Sequence, residues 1–190
     1  MKKILFLSIA ALLSSLLLTA CSPVNGEPPA HYQERAGAAL VEARGDTQQL
    51  EEVLTIYAEG LERHPNDPAL LSSRAQLLAS LGRYEEAKND LDELQEGELH
   101  KEGMLLRCMV HERLEGATAE ALACYEEVEN AYASEAGDHP DANHILAARL
   151  AESPEADALL LEWQAGENAD PMLEEMLKME REEMIRQFLP

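Results

Sequence analysis

Residues 66–94, NDPALLSSRAQLLASLGRYEEAKNDLDEL, constrain the fold of this chain more than any other stretch. Leu70, Leu71, Leu77, Leu78 and Leu81, with Arg74 and Ala75 between them, recur at spacings of three and four, as do Ala87, Leu91 and Leu94 beyond Gly82. Such spacing gathers apolar side chains on one face of a helix, whereas a strand would need alternation. Asp67 can cap the first helix, and Pro68 suits its first turn, where an N–H has no intrahelical partner. The stretch therefore reads as two short antiparallel helices hinged at Gly82. Neither buries its stripe alone, so further helices must stack against them.

The pattern returns after about 34 residues, a length that suits a repeated pair of helices. Gly82, Ala87, Leu91 and Leu94 map onto Gly116, Ala121, Tyr125 and Val128; Leu71, Ala75 and Leu78 map onto Leu105, Met109 and Glu112, the last being the polar exception. One period earlier, Ala87 and Leu91 map onto Val53 and Tyr57, and residues 60–65, GLERHP, close that helix. With Leu71, Ala75, Gly82, Tyr84, Ala87 and Leu91 in its motif positions, Pro65 closing a repeat, and Leu105, Gly116, Ala121 and Tyr125 in the next copy, the chain resembles the tetratricopeptide repeat family. The resemblance implies an all-α fold, a right-handed superhelix of antiparallel helix pairs. The pairs fall at about 31–65, 66–96, 103–133 and 141–165, with a capping helix over 171–189.

Local signals fill in the rest. Residues 31–44 form a helix rich in small residues, and Asp46 or Thr47 can cap a second helix over 48–63. The turn between them comes early relative to the repeat period, which marks a cap or a shortened repeat. The third pair reads as 104–114 and 118–133, with Thr118 as a cap. The fourth reads as 142–151 and 155–164, the latter opened by Ser153-Pro154. Asp170-Pro171 starts a last helix whose stripe contains Met172, Leu173, Met176, Leu177, Met184, Ile185, Phe188 and Leu189. It is either a cap on the open end of the array or a mobile methionine-rich segment.

Residues 1–20 carry Lys2 and Lys3 before an apolar run, which is too short for a membrane span and reads as an export signal. Leu18-Thr19-Ala20-Cys21 resembles the lipobox of bacterial lipoproteins, which implies cleavage before Cys21 and acylation of the new N-terminus. An ordinary secretory signal with a coincidental cysteine is the alternative. By the same resemblance, Ser22 in place of aspartate implies an outer-membrane location, with the domain facing the periplasm. Residues 21–30 contain three prolines and one glycine and form a tether; residues 31–190 form the helical domain.

Charge narrows the partners. With 37 Asp and Glu against 15 Lys and Arg, the net charge is −22. Nucleic acid is excluded for want of clustered basic residues. The apolar content of 46% exceeds that of an acidic disordered chain. Cys108 and Cys124 lie eight residues either side of Gly116, so antiparallel helices bring them side by side. They form either a disulfide in an oxidising compartment or two small buried thiols. No catalytic constellation is found: His111-Glu112 lacks the second histidine of a zinc-protease helix, and there is no serine elbow or phosphate loop. His139 and His144 are poorly spaced to share a metal. The chain is therefore expected to be no enzyme, with no cofactor and no metal.

A groove remains. The tetratricopeptide resemblance implies that Ser72, Gln76, Ala79 and Ser80, then Leu106, Val110, Arg113 and Leu114, line a concave face, extended by Ala38 and Glu42. Such a face would take a basic or amphipathic segment of a protein partner. Alternatively, Leu106 or Val110 packs against the C-terminal helix. Two functions follow: a periplasmic adaptor that recruits an envelope or cell-wall protein, or an immunity-type lipoprotein that inhibits a basic toxin or hydrolase. The oligomeric state is open.

Overall fold

The computed structural model of the chain describes residues 26–95, 97–135, 139–166 and 170–189. The export signal, Cys21 and the start of the tether lie outside these residues. All regular structure among the described residues is helical, in ten helices. In chain order they are α1 (Pro29–Ala43), α2 (Thr47–Arg63), α3 (Pro68–Ser80), α4 (Tyr84–Asp92) and α5 (Lys101–Glu115). There follow α6 (Ala119–Ser134), α7 (Ala142–Leu150), α8 (Ala156–Gln164), α9 (Pro171–Leu177) and α10 (Arg181–Phe188). No helix among the described residues is long and apolar enough to cross a membrane.

Side-chain caps set most of the starts. The Asp46 carboxylate accepts from the Gln49 N–H, Asp67 from Leu70, Thr118 from Ala121, Asp141 from His144, and Asp170 from Met172 and Leu173. Each satisfies an orphan donor of the first turn and contributes about 1 kcal/mol. Asp46 is thus the cap of α2, and Thr47 its first residue. Helix α8 starts later than its sequence suggests, because Ser153 holds the chain in a turn: its hydroxyl accepts from the Glu155 N–H and its carbonyl from Ala156. Gly82 and Gly116, both at positive φ, supply the left-handed backbone at two hinges, which glycine adopts without a Cβ clash.

From α1 to α8 successive helices pack against one another in order, and α1, α3, α5 and α7 also touch in turn. The core runs along the whole array through Val53, Leu70, Leu71, Leu91, Tyr125, Val128, Ile145 and Leu150, all buried. Each such large apolar side chain contributes about 1.5–3 kcal/mol by leaving water. Gly60 lets α2 sit close to its neighbours. A Cβ there would lie 3.0 Å from Leu70 Cδ1 of α3 and from Tyr32 Cγ of α1.

Pairs two and three are cross-linked at the same register. Arg74 of α3 donates to both carboxylate oxygens of Asp90 of α4, at 2.7 and 2.5 Å. One period later, Cys108 of α5 and Cys124 of α6 are joined in a disulfide with Cα atoms 5.7 Å apart. Both links sit eight residues either side of a hinge glycine, Gly82 or Gly116, which makes each pair antiparallel.

The C-terminal end departs from expectation. The single capping helix expected over 171–189 is two short helices, α9 and α10, broken at residues 178–180. Met172 leaves the apolar stripe and is 74% exposed. After α9 packs on α7, the chain turns and runs back across pairs already formed. Arg181 donates to the Leu150 carbonyl and to Glu112, and the Leu189 carbonyl accepts from the Tyr84 hydroxyl at 3.2 Å.

Candidate protein-binding site

Ser72 and Gln76 of α3 and Leu106 of α5 line one depression of about 720 Å³. Asp67, Pro68 and Ala69 at the start of α3, Gln33 of α1, and Glu98, His100, Glu102 and Gly103 before and within α5 complete it. The helix register explains the grouping: Ser72 and Gln76 are one turn apart on a face of α3 turned away from its buried Leu71, Ala75 and Leu78. Gln76 is exposed, while Ser72 and Leu106 are half-buried. The Gln33 amide and Ser73 hydroxyl meet at 3.2 Å and tie α1 to α3 beside the depression.

Its electrostatics are one-signed. Asp67, Glu98 and Glu102 contribute three carboxylates, and none of the described lining residues is Lys or Arg. Lys101 turns elsewhere: its ammonium pairs with Glu135 at 3.2 Å and lies 4.7 Å from the centre of the Tyr132 ring. The arrangement offers hydrogen-bond acceptors, negative potential and an apolar wall at Leu106 and Pro68. Those features suit non-covalent contact with a cationic segment carrying an apolar side chain.

Other residues expected in this groove lie elsewhere. Val110 is fully buried, because α5 is covered on more than one side and carries Leu105, Cys108, Met109 and Val110 all inside. Ala79 is buried for the same reason on α3. Arg113 lines a separate depression of about 470 Å³ with Arg181, Arg186, Glu112, Glu152 and Glu182. There its guanidinium lies 5.0 Å from the centre of the Tyr84 ring. Ala38 and Glu42 are exposed on α1, outside the depression.

A polar network not expected from the sequence lies beneath α10. Glu112, 8% exposed, accepts from the Tyr125 hydroxyl at 2.8 Å and from two nitrogens of Arg181, one at 3.0 Å. The Arg181 guanidinium also lies 5.6 Å from the centre of the Tyr125 ring. Burial, and then the Glu112 carboxylate beside it, pushes the Tyr125 phenol well up, so it remains a donor. The clue was Glu112 itself, the polar residue at an apolar position of the repeat.

His144 and Tyr132, both buried, stack their rings with centroids 5.8 Å apart. Among the described residues no group of three or more His, Cys, Asp and Glu is placed to hold a metal ion. The chain matches no family model, no curated protein and no solved structure.

Proposed function

We propose that this chain is a protein-binding adaptor built as a tetratricopeptide-like right-handed superhelix, anchored through Cys21 to the outer membrane with its domain in the periplasm. It is not an enzyme, and it recruits an envelope or cell-wall protein through the face formed by α1, α3 and α5. The observation that carries this reading is the depression in which Ser72, Gln76 and Leu106 meet three carboxylates, with no Lys or Arg among the described lining residues. The repeat period and the antiparallel second and third pairs support the superhelix; the lipobox supports the anchor. A partner segment with Lys or Arg beside an apolar anchor would be drawn by the charge and held by the contact area.

The same charge also favours a second reading, an inhibitor that covers a basic toxin or hydrolase. An inhibitor would abolish its partner's activity, whereas an adaptor would leave it intact.

The test is affinity capture from envelope extract with the soluble chain from Ser22 onward, beside a Ser72→Arg, Leu106→Asp variant of equal helical content. Partners held by the native chain and lost from the variant, followed by an assay of their activity with and without the chain, would support the site and decide between the two readings. The same proteins retained equally by both baits would overturn it.

A further inference from the structure

The Cys108–Cys124 disulfide is reachable from one side. Cys108 is 1% exposed and packed in the core, whereas Cys124 is half-buried and lines a depression of about 250 Å³. Arg107 and His111 of α5, Thr118 at the cap of α6 and Ala121 within it wall that depression, with Asp92 from the end of α4. Asp92 is occupied: it accepts from Lys88 and lies 3.1 Å from His111 Nε2. Arg107 makes no ion pair among the described residues, so its charge is available to an anion entering beside Cys124. Glu115 and Glu120 stand at the exposed rim and oppose that attraction.

Pair two shows that this register does not need a covalent bond. There Arg74 and Asp90 form an ion pair between α3 and α4, beside the buried Ala75, Leu78, Ala87 and Leu91. In pair three, the Tyr125–Glu112 hydrogen bond and the buried Ala121 and Val128 would still join α5 to α6 with the disulfide open.

We propose that Cys124 is a site of thiol–disulfide exchange with a small thiol. The incoming thiol gives its proton to solvent, and its thiolate attacks Cys124 Sγ. The S–S bond breaks as the new S–S bond forms, and Cys108 leaves as a thiolate that takes up a proton. A second thiolate then attacks the sulfur of the bound small molecule, releasing a symmetric disulfide and leaving Cys124 reduced. A thiolate leaving into apolar surroundings is a poor leaving group, so the step is slower than at an open disulfide; access nonetheless directs attack to Cys124.

The test treats the folded chain with the neutral thiol 2-mercaptoethanol, traps free thiols by alkylation and maps both cysteines by mass spectrometry, with circular dichroism recorded throughout. The expected result is a mixed disulfide on Cys124, alkylation on Cys108, helical content preserved, and a rate linear in thiol concentration. Arg107→Gln should slow the step about threefold by removing a charge near the thiolate. A mixed disulfide on Cys108, equal labelling of both, or a rate that levels off at the rate of global unfolding would overturn the proposal.

Discussion

Glu112 of α5 and Arg181 of α10, 69 residues apart in the chain, are paired through both carboxylate oxygens, at a position where the preceding repeat carries Leu78. The pair is largely out of water, so breaking it from one side strands a buried charge. Glu112→Leu should cost about 3–5 kcal/mol in urea unfolding. Adding Arg181→Met should recover most of that loss, because an apolar pair of similar volume carries no desolvation penalty. A double variant as unstable as the single one would mean that the pair contributes more than its own neutralisation.

Val110 and Leu106 separate core from surface on one helix. Val110 is fully buried, and Leu106 is half-buried on the depression. Val110→Asp places an unpaired carboxylate in the core and should unfold the chain or cost more than about 4 kcal/mol. Leu106, half-buried against the edge of the core, loses less on substitution: Leu106→Asp should cost about 1–2 kcal/mol and retain the native circular dichroism spectrum. Equal losses would show that Leu106 belongs to the core.

His144 gives stability a pH dependence. Burial holds its imidazole below the ordinary value, against the pull of Glu129 and Asp141 and with the help of Lys101. The unfolded chain takes up this proton near pH 6.5, the folded chain only at lower pH. Between the two, the unfolded state binds more protons, so stability falls as pH drops below about 6.5 until the folded-state pKa is passed. His144→Gln should therefore unfold with a flatter pH dependence between about 7 and 5 than the native chain. Parallel curves would sink the assignment.

Arg74 and Asp90 can be replaced by the chemistry of the next pair. Arg74→Cys with Asp90→Cys should oxidise to a second bridge, since both sites sit at the register of Cys108 and Cys124. Closing a loop of this length constrains the unfolded chain by about 3 kcal/mol, less what the lost ion pair contributed. Intact mass under non-reducing conditions reads the bridge, and thermal unfolding reads the gain. Two free thiols after oxidation would show that the two pairs differ in geometry.

Much of the helical order was legible because it is local. Leu70, Leu71, Ala75, Leu78, Ala87 and Leu91 follow the helical period, and Asp67 and Thr118 cap where their spacing suggests. Ser72, Gln76 and Leu106 could be grouped because a fixed repeat carries a face from one pair to the next. Val110 and Arg113 could not be placed that way. Helix α5 is covered by α3, α4, α6 and α7, and the sequence offered burial of Val110, against the C-terminal helix, only as an alternative to the groove. The break between α9 and α10 left one trace, because Glu180 and Arg181 interrupt the stripe from Met172 to Leu189, but the partner that fixes Arg181 lies far back in the chain.

That return has a consequence for how the molecule comes apart. An array whose units touch only their neighbours frays from its ends, one unit at a time. Here the Tyr84 hydroxyl and the Leu189 carbonyl join residues 105 apart, and Arg181 bridges α5 and α7 on the way. These links tie the second, third and fourth pairs together, so the three should unfold as one cooperative unit. Release of the last dozen residues would turn a single sharp melting transition into a stepwise one.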